Sequence, residues 1–543
     1  MKKLKKTGVI TLLLSVFFIM FAFKTDYFEV AKQIEIYTSL FKELNLYYID
    51  DINPASLTEN AIDNVLNDLD PYTKYYDEQG VEDVKILSNG EYSGIGATTK
   101  LMDNKLVIVE LHKDMPAEKA GIKVGDEIVK IDDVFVKNNN NKEIISLLKG
   151  TDETSVNLQI LRQQKIINFQ VLRNKIEINP VPHYQMIDNK IGYISFIKFN
   201  GKASSSVKSA FLDLKSQGME KLIFDLRGNL GGLLNEAIEI TNFFIPKNEV
   251  VVTTKAKLKK WSETYKTKNE PIDPNIPIVV LIDNHSASAS EIVAGSLQDL
   301  DRAVILGERS FGKGLVQRYR DLPYGSKLKL TISKYYTPSG RNIQEMDYSH
   351  RTKNNIPKFS DNPPTAFKTK NGRTVYDGGG IEPDINLVKP QTTNATKALY
   401  NSNTIFNFAT SYYYEHPNIA NPKDFNFDES EYQKFINYLK KNPSLFKTKT
   451  EKLFEAGLHS AAEESYKTQI QSQYNILIKQ LEQEKINELN LNKIDISEHL
   501  SDEILNRFYF KKGEYINHIY NHKFIIEAKK VLNNEQQYKN ILQ

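Results

Sequence analysis

Residues 278–291, IVVLIDNHSASASE, join an apolar run to a serine-rich turn that opens a helix extending to about Leu300. An apolar strand that turns directly into a helix presents the side chains of the turn at the end of the strand. A serine hydroxyl at this junction also lies at the helix end that favours negative charge. Ser288 is therefore a candidate nucleophile on a strand–turn–helix unit.

The same residues allow a simpler interpretation. Ser288-Ala289-Ser290-Glu291 matches the Ser-x-x-Glu capping box, in which the serine only caps the first turn of the helix. Taken alone, the segment favours the cap over the nucleophile. A serine nucleophile also needs a base, which must come from elsewhere in the chain.

A second strand–turn–helix unit lies upstream. It consists of an apolar strand at 221–226, the turn RGNLGG at 227–232 and a helix from about 233 to 244. A glycine turn of this kind exposes backbone N–H groups that can hold an anion or a developing oxyanion. Paired glycines also mark ordinary tight turns, so these residues alone leave both interpretations open.

A third segment, GERSFGK at 307–313, follows a predicted strand and fits the opening of a phosphate-binding loop. Gly314 lacks the hydroxyl that ligates magnesium, and the next residues resemble a strand, which argues against nucleotide binding. Lys313 is instead a candidate general base if burial lowers its pKa by roughly 3 units from the usual value of about 10.4. Gln317, on the same predicted strand face, could direct the amine.

Composition excludes several classes of protein. The 543 residues include 71 Lys and Arg against 68 Asp and Glu, a net charge of +3, and no block of five like charges indicates nucleic-acid binding. Cysteine is absent, which excludes disulfides, thiolate metal sites and a cysteine nucleophile.

The amino terminus predicts export. Lysines at positions 2, 3, 5 and 6 precede an uncharged, mostly apolar run at 7–23, which is at the lower limit for a membrane span. We expect residues 1–24 to be a signal anchor or a signal peptide, and the poor cleavage sequence at 20–23 favours the anchor. The body would then lie in the cell envelope, anchored in the cytoplasmic membrane and facing the periplasm, or free in the periplasm after cleavage.

The rest of the chain divides into four regions, which predicts a multidomain α+β protein. Residues 25–85 have helical spacing, and 86–176 contain short β-type runs with one helix near 142–148. Residues 177–390 alternate strands and helices, with a polar loop or insertion at 345–376, and 391–543 are helical throughout.

The chemistry-bearing segments together resemble the carboxyl-terminal processing peptidases, or tail-specific proteases. The resemblance is carried by SASASEIVAG at 286–295, by Gly307-Glu308, and by FGKG at 311–314 with Gln317. Further similar segments are LDP at 69–71, the turn at 225–232, KYYTPSGR at 334–341 and GGIEPD at 379–384. They cover about residues 60–385 in the order of the family.

This resemblance implies a crotonase-like α/β serine-peptidase core at 177–390. It implies that Ser288 is the nucleophile, Lys313 the base and Gln317 its orienting partner. The backbone N–H groups of Ala289 and of the Gly231-Gly232 turn would form the oxyanion hole. No metal or other cofactor is implied.

Two positions depart from the family pattern. Leu230 replaces a frequent proline, which leaves open whether Gly231 or Gly232 donates to the oxyanion. His285 replaces a frequent glycine and suggests a serine–histidine pair, but its short separation from Ser288 makes such a contact strained. We therefore expect His285 to line the cleft.

Residues 86–176 resemble a PDZ domain. Its carboxylate-binding loop would be Gly94-Ile95-Gly96-Ala97, beside an apolar pocket lined by Ile144, Ile145 and Leu148. The implied partners are proteins or peptides with free carboxyl-terminal tails, although a PDZ fold that is only a spacer stays an alternative.

The carboxyl-terminal region carries no chemistry of its own. We interpret His518 and His522 as helix-surface histidines rather than metal ligands, and Tyr412-Tyr413-Tyr414 as core or interface residues. The helices could form a tether, an adaptor surface or a homo-oligomer contact. The sequence as a whole predicts an exported serine endopeptidase with a Ser/Lys dyad, and the alternative is a catalytically silent PDZ scaffold of the cell envelope.

Overall fold

The structure is a computed structural model that describes residues 25–137, 141–351, 357–359, 363–387 and 390–543. The expected anchor or signal peptide at 1–24 lies outside these residues. Within the described ranges, no helix has both the length and the apolar character needed to cross a bilayer. The predicted multidomain α+β architecture is confirmed.

A six-stranded sheet forms the centre of the predicted peptidase core. Its first two strands are antiparallel and all other neighbours are parallel. In sheet order, the strands are His183–Met186, Ile191–Ser195, Lys221–Asp225, Ile278–Ile282, Val304–Gly307 and Ile385–Asn386. Parallel strands end at the same edge, so this order gathers the turns that follow 225, 282 and 307.

Both faces of the sheet are covered. Ile278, Val280 and Ile282 pack against the helices of one face, while Val279 and Leu281 pack on the other. This two-sided burial explains why the strand is apolar without alternation. The helices on the first face are Ala203–Ser216, Leu234–Asn242 and Ala289–Asp299.

The second face is covered by the helices Lys523–Asn533 and Glu535–Leu542. Phe524 is 1% exposed and packs among the sheet residues of this face. The Tyr538 hydroxyl donates to the Ile278 carbonyl at 3.2 Å and accepts from the Ile278 N–H at 2.9 Å. These helices therefore complete the hydrophobic core of the sheet.

A five-stranded antiparallel sheet stands beside the parallel one. Its strands are Lys74–Tyr76, Val250–Ala256, Glu263–Lys266, Leu315–Asp321 and Lys327–Tyr336. The first of them belongs to the amino-terminal region and pairs Lys74 with Lys329. The remaining elements of that region are the helices Thr25–Tyr47, Pro54–Asn67 and Glu78–Asn89.

One antiparallel strand pair, Glu91–Gly94 with Asn174–Glu177, connects the predicted PDZ region to the rest of the chain. Between them lies an antiparallel sheet around a separate hydrophobic core. Its strands are Ala97–Met102, Lys105–Leu111, Glu127–Ile131, Val134–Phe135, Ser155–Arg162 and Lys165–Leu172, and its helices are Pro116–Lys119 and Asn141–Ser146.

The carboxyl-terminal helices also contact the PDZ region. Phe406 and Phe510 pack against its core, and Lys123 Nζ donates to the Tyr413 hydroxyl at 2.8 Å. Tyr412 is buried, so the core or interface role predicted for this tyrosine run is confirmed. The helices preceding those on the sheet are Asn394–Tyr400, Thr404–Glu415, Glu429–Lys441, Lys449–Glu463, Lys467–Leu491 and Lys493–Asn521.

The segment predicted as a loop or insertion at 345–376 contains two short antiparallel strand pairs. They join Met346–Arg351 to Pro357–Phe359 and Ala366–Lys368 to Thr374–Tyr376. In the second pair Val375 alone is buried, so its mostly exposed, polar sequence gave no apolar strand signal.

We expect Phe524→Ala to lower the free energy of unfolding by about 3–5 kcal/mol, because it leaves a cavity against the sheet. Denaturant unfolding measures this loss. The control Phe454→Ala removes a ring that is 38% exposed and should change stability by roughly 0.5 kcal/mol or less. Equal losses in the two variants would contradict the packing described for the second face.

Candidate active site

Ser288 occupies a strained position directly before the helix Ala289–Asp299. Its φ of 56° and ψ of −110° lie in a region that residues other than glycine rarely adopt. The neighbouring serines hold this turn in place. Ser286 Oγ donates to the Leu226 carbonyl and Ser290 Oγ to the Asn229 carbonyl, each at 2.8 Å.

The Glu291 carboxylate is fully buried and connects Ser288 to the lysine loop. It accepts a hydrogen bond from the Ser288 amide at 2.6 Å, so the predicted capping box is present. The same carboxylate accepts from Ser310 Oγ at 2.7 Å, the Gly312 amide at 2.7 Å and the Lys313 amide at 3.0 Å. Burial raises the pKa of the Glu291 carboxyl, and the hydrogen bonds only partly oppose this shift.

The glycine turn packs directly against Ser288. Gly231 has a φ of 91°, and a Cβ on it would lie 2.6 Å from the Ala287 carbonyl oxygen and 2.8 Å from the Ala289 nitrogen. Its own N–H donates to Asn229 Oδ1 at 2.9 Å. In the described part of the chain, the N–H groups of Gly232 and Ala289 have no acceptor. Because it has no side chain, Gly231 lets the glycine turn pack close to the Ser288 turn. Within the described residues, the amides of Gly232 and Ala289 stay free of hydrogen bonds beside it.

Lys313 projects into the same cleft. Its Nζ lies 4.3 Å from the centre of the Tyr72 ring, a cation–π contact. Burial, together with the charges of Lys329 and Lys198, lowers the pKa of Lys313 to about 8, while Glu291 and Asp70 act in the opposite direction. The pKa is thus close to the range in which a lysine can act as a base.

Among the described residues, no hydrogen bond joins Gln317 to Lys313. Its Nε2 donates to Thr331 Oγ1 at 3.2 Å. The expectation that both residues share a strand face is wrong, because the strand begins at Leu315 and carries a register irregularity between Val316 and Gln317.

Asp70 was not identified from the sequence as a site residue, although its turn was noted. Its Oδ1 accepts from the amides of Tyr72 and Thr73 at 2.8 and 2.9 Å, and from Thr331 Oγ1 at 3.1 Å. Through these bonds it fixes both the ring beneath Lys313 and the partner of Gln317. The only sequence feature that pointed to Asp70 was its Asp-Pro turn, and a turn does not reveal distant partners such as Thr331.

A single cavity of about 500 Å³ brings the predicted residues together. It is lined by Ser288, Ala289, Gly231, Gly232, Lys313 and Gln317. Apolar side chains, among them Phe199, Leu234 and Ile292, form much of the remaining wall. The arrangement offers a hydroxyl, an amine and free amides around one apolar space.

His285 lies outside this cavity. Its side chain is 67% exposed, and its Nδ1 is 3.9 Å from Asp283 Oδ2. The expectation that it lines the cleft is wrong, since the turn points the ring outward to solvent.

The predicted tail-binding loop, Gly94-Ile95-Gly96-Ala97, lies at the start of the PDZ sheet. The carbonyls of Ile95 and Gly96 accept from Ala117 and His112 at 2.8 and 3.0 Å, which fixes the loop on the domain. Gly96 has a φ of 73°, and a Cβ there would meet Met115 Cβ at 2.4 Å. Of the predicted pocket residues, Ile144 and Leu148 are buried in the domain core and Ile145 is half-buried.

The interpretation as a helix-surface residue is wrong for His522, whereas His518 is half-buried, with 22% of its side chain exposed. His522 is 8% exposed and lies against the Arg227 guanidinium. His518 forms a group with Asp502 and Glu514 whose ligand atoms lie within 4.8 Å of one another, a spacing that could hold a metal ion. These groups are already paired, His518 with Asp502 at 2.8 Å and Glu514 with a lysine at 2.6 Å.

Comparisons with known proteins identify the families that this chain resembles. Residues 190–349 match the model of peptidase family S41, residues 93–172 that of the PDZ domain, and residues 395–532 that of the probable PDZ-protease C-terminal helical domain. The chain is 35% identical over 319 residues to a carboxy-terminal-processing protease of Bartonella bacilliformis, covering 58% of this chain and 73% of the relative.

Two further relatives are similar over part of their length. A probable CtpA-like serine protease of Staphylococcus haemolyticus is 35% identical over 324 residues, covering 59% of this chain and 64% of the relative. Among solved structures, the photosystem II D1 C-terminal processing protease has 27% identity and a TM-score of 0.37, covering 64% of this chain and 86% of that one.

We expect Glu291→Gln to destabilise the fold, because its NH₂ group would face two N–H or O–H donors whichever way the amide lies. Each donor left unsatisfied costs roughly 1–3 kcal/mol, measurable by denaturant unfolding. The control Glu382→Gln alters a carboxylate that is 53% exposed, and should shift stability by roughly 0.5 kcal/mol or less. An unchanged Glu291→Gln protein would contradict the connecting role of this carboxylate.

Proposed function

The chain belongs to peptidase family S41, the carboxy-terminal-processing serine proteases, and we propose that it is an endopeptidase in which Ser288 attacks the peptide bond and Lys313 acts as the base. The observation that carries the proposal is one cavity holding a strained serine and a lysine of lowered pKa. Glu291 supports both of them through their backbone amides.

The proposed reaction proceeds through an acyl-enzyme. Neutral Lys313 takes the proton from Ser288 Oγ as this oxygen attacks the scissile carbonyl. The resulting oxyanion lies between the N–H groups of Gly232 and Ala289, which have no other acceptor in the described residues. Protonated Lys313 then gives its proton to the leaving amine, and water hydrolyses the ester with Lys313 again accepting a proton.

The proposed reaction requires Lys313 to move from its observed position. Lys313 lies on the Tyr72 ring, and no hydrogen bond joins it to Ser288 or Gln317 among the described residues. A ring contact favours the charged amine, whereas catalysis needs the neutral one. We propose that Lys313 leaves Tyr72 and that Gln317 leaves Thr331 when substrate fills the cleft.

We propose that substrates are polypeptides with free carboxyl-terminal tails. A tail would add as a strand to the PDZ sheet, with its terminal carboxylate at Gly94–Ala97, and an upstream bond would reach Ser288.

The lysines and apolar run before residue 24 support export and an anchored position in the cell envelope facing the periplasm.

We expect Ser288→Ala and Lys313→Ala each to reduce cleavage of a model protein with an apolar tail by about 10³-fold or more, since removing one member of a catalytic unit disables it. The measurement is kcat/KM of the purified body from residue 25, without added metal. His285→Ala is the matched control from the same turn and should retain wild-type activity. Tail binding without cleavage by the wild type would favour a PDZ scaffold.

We expect kcat/KM to rise with pH through a midpoint near 8. The pKa of Lys313 lies at about 8, and only the neutral amine above it can accept the serine proton. Activity should therefore be lost as the pH falls below this value. A midpoint near that of histidine, which disappears in His285→Ala, would contradict the assignment of the base.

A further inference from the structure

The catalytic cleft is lined by cationic side chains without a carboxylate. Lys198, Lys313, Arg318 and Lys329 line the cavity, and none of its lining residues in the described chain is Asp or Glu. Lys313 has a role in the proposed reaction and Arg318 is exposed at the edge. Lys198 and Lys329 are half-buried and belong to no step of that reaction.

These two lysines also differ from most half-buried lysines of the chain. Within the described residues, neither forms an ion pair or a hydrogen bond with an acidic side chain. By contrast, Lys327, two positions before Lys329 on the same strand, pairs with Asp321 at 2.7 Å. Burial lowers the pKa of both Lys198 and Lys329, and Lys74 and Lys198 lower that of Lys329 further, while Asp70 acts in the opposite direction. A cation withdrawn from water without a partner is costly, and an anion relieves the cost.

The carboxylates whose charge reaches this cleft are already occupied. Asp70 accepts hydrogen bonds from Tyr72, Thr73 and Thr331, and Glu291 accepts four. Neither lines the cavity. Within the described residues, a carboxylate in direct contact with Lys198 or Lys329 would therefore have to belong to a molecule that enters the cleft.

We propose that Lys198 and Lys329 are specificity-determining residues that bind a carboxylate of the substrate close to the scissile bond. This inference rests on the proposed peptidase function and names a substrate class for it. The remaining lining is largely apolar, so the preferred segment places an apolar residue beside the carboxylate. The carboxylate can be an acidic side chain or the terminal carboxylate of a short tail, and both would form charge-assisted hydrogen bonds with the ammonium groups.

The test uses short peptides that contain an apolar cleavage site and differ in one group. One series carries Asp or Asn at each position flanking the scissile bond, and a second carries a free or amidated carboxyl terminus. We expect wild-type kcat/KM to be about tenfold higher for the carboxylate member of at least one pair, which is the size of one charge-assisted hydrogen bond. The series in which the preference occurs identifies the source of the carboxylate.

Substitutions of Lys198 and Lys329 test whether these two lysines cause the preference for a carboxylate. Lys198→Met and Lys329→Met keep the aliphatic stem and should bring the ratio close to one, whereas Lys198→Arg should retain much of it. Lys74→Met is the matched control, because Lys74 pairs with Lys329 across the strands but does not line the cavity. Its ratio should stay near that of the wild type. A change in the pKa of Lys313 affects both peptides of a pair and therefore cancels in the ratio of their kcat/KM values. Thermal unfolding verifies that each variant folds.

The inference is overturned if the ratio of kcat/KM between paired peptides is near one for the wild type in both series. It is also overturned if both Met variants keep the wild-type ratio. In either case, cleavage of the peptides by the wild type would still support the peptidase function. If the wild type cleaves no peptide, the proposed function fails. The carboxylate preference is then tested by peptide binding instead of cleavage. Affinities of the Ser288→Ala protein for the same pairs, with and without Lys198→Met, then show whether the cleft selects the carboxylate. A preference that the Met variant leaves unchanged would belong to the PDZ loop and would also overturn it.

Discussion

The buried carboxylate of Glu291 is the interaction on which the site depends. It lies in the first turn of a helix and accepts hydrogen bonds from the turn that holds Ser288 and from the loop that holds Lys313. Two segments that are separate in sequence are thereby held by one side chain at a fixed distance. Desolvation of this acid is unfavourable, and the four donors make its burial possible.

The parallel sheet supplies the setting for this interaction. The strands Lys221–Asp225, Ile278–Ile282 and Val304–Gly307 are neighbours and end at one edge. The glycine turn, the serine turn and the lysine loop follow these ends directly. The antiparallel sheet then closes the cleft from the other side and brings Gln317 and Lys329 to it.

Sequence reasoning succeeded where signals were local. The apolar strand at 278–282, the Ser-x-x-Glu cap and the order of the regions could be predicted because each depends on adjacent residues. It failed where partners are far apart. Asp70 meets Thr331 across 261 positions, and Arg227 meets His522 across 295, so neither contact leaves a pattern in the sequence. Spacing alone also placed Gln317 and Lys313 on one strand face, because it gave no sign that the strand starts only at Leu315.

The helices that cover the second face of the parallel sheet have a consequence for biosynthesis. Their contacts come from residues 524 to 542, so these contacts form only after the ribosome has added this part of the chain. Phe524 and His522 also touch Arg227, in the turn that leads to the two glycines of the cleft. The packing of this turn is therefore complete only after these helices have been synthesised.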